Sequence, residues 1–389
     1  MLCSEDSNDL LFQGHTDAVT RAKWMNDGLC IVSVSYDRTM RIWDSQTSEQ
    51  RACIRPHETH ITTAAISLDD QKIASGAMDH YMYLFDSRTL LKTFAVRQGG
   101  PVTDLIFDNT GQLIATVTDI SCELAIWDCR SQERSFILKE VHRTTPTSCR
   151  FTPDNRCVIT TSTDGSTKCI DIRNSRTLIT LRDHKHAVSS ASVTKDGKLL
   201  VTTSWDRTIL LYDLQTGNYR VTGPQTLTGS HSGSINCSDI DDNGMTLITG
   251  GMDKLIVIWD LCKGHRAMYL KGHEDWVLDV GLSTDGRDVL SASKVGYDFS
   301  DIICKRIKPF ANGALNLGKE CQQEDTPIKT ARQENASAPP ARKCLHRLTP
   351  NNRAEGQNVS SVDSTQIQFS IHRDRAKREK NECVQCQSQ

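Results

Sequence analysis

The chain has 389 residues, with 46 Lys and Arg against 48 Asp and Glu, and 37% of its residues are hydrophobic. At about 100–200 residues per domain, that length accommodates two or three ordinary domains or one large repeat domain. The near-neutral balance argues against a general nucleic-acid binder while leaving room for a local patch. The absence of any run of about 18 apolar residues argues against a membrane helix, and Met1 to Asp9 has neither the basic start nor the apolar run of a signal peptide.

Leu10-Leu11-Phe12 reads as a short strand ahead of Gly14-His15. From there a unit repeats. His15, His57, Gln98, His142, His184, His231 and His273 stand 42, 41, 44, 42, 47 and 42 residues apart, the period of one four-stranded propeller blade. Eighteen residues after these positions come Ser33, Ser75, Thr116, Thr160, Thr202, Thr249 and Ser291. Four residues further stand Asp37, Asp79, Asp164, Asp206 and Asp253, and six beyond those Trp43, Phe85, Ile170, Tyr212 and Trp259, each followed by Asp. Alternating runs such as Thr39 to Trp43 and Leu255 to Trp259 predict strands, and Asp27-Gly28, Asp196-Gly197, Asn243-Gly244 and Asp285-Gly286 predict tight turns between them.

Three units depart from the pattern. The third has Gln98 for histidine and two extra residues between Asp119 and Trp127. A longer connection containing Gly223-Pro224 precedes the sixth. The seventh runs through Trp276 and Leu290 to Lys294, then continues Val295-Gly296-Tyr297-Asp298-Phe299 with no Trp-Asp strand. The expected fold is therefore all-β: a seven-bladed propeller over residues 10–294, after a short extension at 1–9. The N-terminal strand closes the ring, and the last blade is left incomplete. Residues 295–389 carry 15 Lys and Arg against 11 Asp and Glu without periodicity, and are expected to form a mostly disordered tail. The abrupt change at Lys294 suggests an alternative or retained-intron reading of the message.

This set of marks resembles the WD-repeat family over about residues 10–294. The resemblance implies a hydrogen-bonded tetrad inside each blade, complete in His15, Ser33, Asp37 and Trp43 and in His231, Thr249, Asp253 and Trp259. It makes these histidines structural, neither metal ligands nor catalytic bases. Segments such as Thr203 to Arg207 and Leu270 to Val280 further resemble proteins that combine PQQ and WD repeats. That implies a seven-bladed propeller, no established activity and no quinone cofactor.

No chemistry outside the repeat stands out. Cys383-Val384-Gln385-Cys386 lacks a second CxxC and reads as loose tail, not zinc site, even with Cys344 and His346 counted. No phosphate loop is present. The basic run Arg373 to Lys380 reads as a solvated tail. The 15 cysteines, an odd number spread from Cys3 to Cys386, read as reduced thiols of an intracellular protein, cytoplasmic or nuclear. No enzyme activity, metal or cofactor is expected.

The family resemblance places a ligand-facing surface at the positions three and five residues after the histidine and one before the turn Asp. Here these include Tyr36, His60, Met78, Trp205, Asn236, Met252 and Trp276. Aromatic and Met side chains on one rim suit a peptide or protein partner; no membrane, nucleic-acid or small-molecule ligand is expected. Blades two to four end in Asp86-Ser87-Arg88, Asp128-Cys129-Arg130 and Asp171-Ile172-Arg173. The repeated Asp-x-Arg resembles the docking box of cullin–RING ligase substrate receptors. Arg88, Arg130 and Arg173 are therefore candidates for docking an acidic adaptor.

Overall fold

The computed structural model describes residues 10–294, apart from 222 and 224, and residues 300–306. The described residues form seven four-stranded antiparallel sheets. The first sheet joins Val19–Trp24, Cys30–Ser35, Met40–Asp44 and Gln50–Ile54 in chain order. The next five repeat that plan. Their first strands are Ile61–Ile66, Val102–Phe107, Pro146–Phe151, Val188–Val193 and Ile235–Ile240. Each first strand packs against the first strand of the next sheet, and Val277–Leu282 of the seventh packs back onto Val19–Trp24. The sheets therefore close into a seven-bladed ring with the first strands innermost. Among the described residues no helix is long and apolar enough to cross a membrane.

Second strands are buried on both faces because a neighbouring blade covers each side; all six residues of Cys30–Ser35 are buried. The core lies between blades. Val32, Val34, Met40 and Ile42 of blade one pack with Ile61, Ile73 and Phe85 of blade two. Space there is tight. A Cβ on Gly76 would meet Val102 Cγ1 of the next blade at 2.5 Å, so a side chain at this position cannot be accommodated without displacing the neighbouring blade.

The seventh blade differs from the expected one. Its third strand is present: Ser300–Arg306 pairs with Asp288–Ser293 on one side and Leu10–His15 on the other. The last blade is thus complete, with the N-terminal strand as its outer edge. The Trp-Asp signature is absent from 300–306, yet Ile302 and Ile303 are buried and Phe12, at 1% exposure, packs in one cluster with Ile302, Leu290 and Trp43. Burial of apolar residues is enough to hold a strand between two partners. The other residues expected in a disordered tail, with the CxxC and the basic run, lie outside the described residues. The long connection before the sixth unit shortens the outer strand of blade five to Thr226–Leu227.

Candidate functional site

In blade one His15 bridges Asp37 and Ser33. Its Nδ1 lies 2.8 Å from Asp37 Oδ2 and its Nε2 lies 2.7 Å from Ser33 Oγ. Trp43 Nε1 donates to the same hydroxyl at 2.8 Å. Blade six repeats this, with His231 at 3.0 Å from Asp253 and 2.8 Å from Thr249, and Trp259 donating to Thr249 at 3.0 Å. Burial pushes the His15 imidazole below its usual range, and the adjacent Asp37 only partly restores it. The Asp–His–Ser connectivity resembles that of an activated nucleophile. Ser33, however, is fully buried and its oxygen already accepts the indole N–H, so no substrate can reach it.

Blade three uses an amide in the same place. Thr116 donates to Gln98 Oε1 at 3.2 Å, and Trp127 Nε1 donates to Thr116 at 3.3 Å. Asp119 turns away to accept the Thr145 hydroxyl of blade four at 2.6 Å.

At the mouth of the ring, the residue before the turn Asp is tied to the residue three after the histidine. The backbone N–H groups of Tyr36, Met78, Trp205, Met252 and Lys294 donate to the carbonyls of Ala18, His60, Ala187, Ser234 and Trp276. Neighbouring blades are then linked: His60 Nδ1 lies 2.7 Å from the Tyr36 carbonyl oxygen, and Ser234 donates to the Trp205 carbonyl at 3.2 Å. The Tyr36 and His60 rings are 4.9 Å apart, and Lys294 Nζ sits 4.5 Å over the Trp276 ring. Met78 is 40% exposed, while Tyr36, His60, Trp205, Met252 and Trp276 are half-buried. Burial, reinforced by Asp17, pushes the Tyr36 hydroxyl up, so it stays protonated. Asn236 instead ties two blades together, its Nδ2 donating to the Val277 carbonyl of the next blade at 2.9 Å. Thr20, Thr62 and Thr147 make the same inter-blade tie to Ile61, Val102 and Val188.

Below this face, the inner strands bring together a charged cluster that the sequence pattern did not reveal. Arg21 and Lys23 of blade one, Asp104 of blade three, Arg150 of blade four and Asp279 of blade seven converge in the ring. Lys23 Nζ lies 2.9 Å from Asp279, and Asp104 receives Arg21 at 3.4 Å and Arg150 at 3.0 Å. Thr63 Oγ1 also donates to Asp104 at 2.9 Å. Burial alone would raise the Asp104 carboxyl, but Arg21 and Arg150 outweigh it and bring it down to about 2. Burial likewise acts to lower the Arg21 guanidinium, yet Asp104 and Asp279 hold it above its usual range. Asp239, which accepts the Leu282 N–H at 2.9 Å, is pushed up by burial. The available signal was a charge six or eight residues after the repeat histidine, where blade two has Thr63 and Ala65. Each of the three cations meets a carboxylate, which ties blades one, three, four and seven together, while Asp239 is held by the backbone N–H groups of Ile240 and Leu282. Among the described residues no group of three or more His, Cys, Asp or Glu is arranged to hold a metal.

Arg88, Arg130 and Arg173 lie on the turns after the third strands of blades two, three and four. Their backbone N–H groups donate to Asp86, Asp128 and Asp171, at 3.2, 2.7 and 2.8 Å. Their side chains are exposed.

Comparison with known proteins agrees with this geometry. The family described as WD domain, G-beta repeat matches residues 8–44, 175–213 and 224–260. The family of the eukaryotic translation initiation factor eIF2A matches residues 67–173. The chain is 25% identical over 168 residues to a U3 small nucleolar RNA-associated protein 15 homolog of Xenopus tropicalis, covering 43% of this chain and 32% of the relative. It is 27% identical over 126 residues to a ribosome biogenesis protein WDR12 homolog of Nematostella vectensis, covering 31% and 30%. It is 26% identical over 127 residues to a U5 small nuclear ribonucleoprotein 40 kDa protein of Dictyostelium discoideum, covering 32% and 36%. The matches thus span about a third of these relatives' own length, and together they support a WD-repeat family.

Proposed function

We propose that this chain, a seven-bladed propeller carrying WD repeats, is a non-catalytic interaction scaffold that receives a peptide or protein partner on the face bearing Tyr36, His60, Met78, Trp205, Met252 and Trp276. One observation carries the reading. Backbone bonds pin this row of residues around the ring mouth, while the Trp, Tyr and Met side chains reach the surface. Pre-positioned aromatic anchors lose little entropy on binding and dominate interface energies. The spent hydroxyls and paired charges below that face support a binding role over a catalytic one.

The relatives' names speak of nucleolar, ribosomal and small nuclear ribonucleoprotein assemblies. They favour protein partners within such an assembly, and a nuclear or cytoplasmic place for this chain. The finer resemblance to PQQ- and WD-repeat proteins adds only the propeller itself. The cullin–RING alternative rests on the Asp-x-Arg motif alone.

The test is quantitative affinity purification of the full chain beside a Trp205→Ala, Trp276→Ala variant of equal thermal stability. Partners should fall at least about tenfold in the variant, as expected for lost hot spots. Equal recovery of the same partners by both proteins would show that this face is not the one used.

A further inference from the structure

The outer edges of blades two, three and four form a run of three neighbouring basic edges; blade six carries as many cations in its matching stretch, Lys263, Arg266 and Lys271, but stands apart from them and pairs Lys263 with Asp260. From residue 87 to 97, 129 to 139 and 172 to 182 there are nine Lys and Arg and one acid, Glu133. The remainder of residues 1–294 holds 22 Lys and Arg against 36 Asp and Glu. The chain is thus strongly polarised beneath its near-neutral total.

Topology gathers these cations onto one rim. They lie on the turns leading into the outer strands Lys92–Arg97, Arg134–Leu138 and Arg176–Leu181 and on the strands themselves, with Lys139 and Arg182 just beyond. The three blades are consecutive, and Gln132 of blade three donates to the Thr93 carbonyl of blade two at 3.3 Å, making that part of the rim continuous. The same Asp-capped turn presents Arg88, Arg130 and Arg173 outward in each blade. Lys92 lies over the Tyr83 ring at 4.2 Å and Arg134 over the Trp127 ring at 5.8 Å, which steadies both side chains. Lys139 faces Glu123 at 3.7 Å; the other eight cations make no ion pair among the described residues. The nearest flanking acids are Asp86, Asp128 and Asp171, which accept turn N–H groups, Asp183, which accepts the Tyr212 hydroxyl, and Glu140.

We propose that this rim binds the phosphodiester backbone of a nucleic acid. Seven of the nine cations are Arg, whose planar fork fits phosphate oxygens. The rim has no exposed aromatic anchor: Phe94 and Phe136 are half-buried. A protein partner of the hot-spot kind needs such an anchor. A phosphate backbone needs only repeated charge and donors, supplied here once per blade.

The experiment measures fluorescence anisotropy of a labelled oligouridylate of about 20 nucleotides as salt is varied. The protein is the full chain with Arg373, Arg375, Lys377, Arg378 and Lys380 changed to Ala, which removes the basic run from the reading. Binding is expected to weaken with salt at a log–log slope of about −2 or steeper, about 0.7 per phosphate neutralised. Arg130→Glu, Arg134→Glu, Arg173→Glu and Arg176→Glu together should weaken it at least about tenfold. Arg173→Gln with Arg176→Gln should give a smaller loss, a graded check that does not depend on four reversals folding. Arg38→Glu, Arg207→Glu and Lys254→Glu, at the ring mouth, should change it less than about twofold. Equal losses from the rim and ring-mouth variants, or none from the rim variants, would overturn the proposal. Displacement of the oligonucleotide by polyglutamate of similar length at the same concentration would do so too, assigning the rim to an acidic protein.

Discussion

Arg21 and Asp104 stand 83 residues apart in the chain, on the first and third blades, and their side chains meet at 3.4 Å in the middle of the ring. Arg150 of blade four approaches the same carboxylate at 3.0 Å, and Arg21 also faces Asp279 of blade seven at 3.8 Å. The Arg21–Asp104 contact therefore joins two blades that share no core cluster, while the other two reinforce neighbours that already pack together, and Asp104 is the hub.

Replacing Asp104 by Ala should leave the half-buried Arg150 guanidinium and the buried Thr63 hydroxyl without this acceptor, and Arg21 with only the more distant Asp279. The expected cost is about 3–5 kcal/mol, read as a lowered midpoint in urea unfolding. A loss under about 1 kcal/mol would mean that water replaces the carboxylate without penalty.

The same carboxyl should shape acid stability. Its folded-state value of about 2 lies below the ordinary 3.8. A depressed value means the unfolded chain takes up the proton first. The contribution is full above about pH 4, shrinks as pH falls towards 2, and is gone below that. Comparing wild type with Asp104→Asn across that window should show the stability gap closing by about 2 kcal/mol. A gap independent of pH would contradict the ionic account.

Ser33→Ala removes the shared acceptor of the first tetrad and leaves His15 Nε2 and Trp43 Nε1 buried without it. A loss of about 2–3 kcal/mol is expected. Thr116→Val in blade three, where the bonds are 3.2 and 3.3 Å, should cost less, about 1 kcal/mol. Thermal unfolding of both variants ranks them directly.

Ending the chain after Lys294 should remove the strand Ser300–Arg306 and uncouple Leu10–His15 from the seventh blade, since the two pair along their length. Such a chain is expected to lose its cooperative transition and to associate through the exposed strand edge. One ending at residue 310 should unfold in a single transition by circular dichroism.

Thiol reactivity should follow depth. Cys53 and Cys262 are exposed, whereas Cys149 and Cys237 are buried and burial holds their thiols above the usual range. Alkylation of the native protein followed by mass spectrometry should label the first pair quickly, and the second only on unfolding.

What the sequence determined by itself was everything that repeats within one blade. The spacing from His15 to Ser33, Asp37 and Trp43 is local, because a four-stranded antiparallel sheet with short turns brings those positions together whatever the neighbouring blades do. The seven units, the tetrads and the row from Tyr36 to Trp276 were legible for that reason. The tertiary structure alone decided what depends on closing the ring. Ser300–Arg306 has no blade signature, and becomes the third strand of blade seven because Leu10–His15 and Asp288–Ser293 offer it two edges. Asn236 is claimed by the Val277 carbonyl of the next blade, and Gln98 fills a histidine's place because Thr116 needs only an acceptor. Arg21, Lys23, Asp104, Arg150 and Asp279 look like unrelated charges on separate strands until closure aims the inner strands at one axis. There the cost of burying charge forces opposite signs to meet.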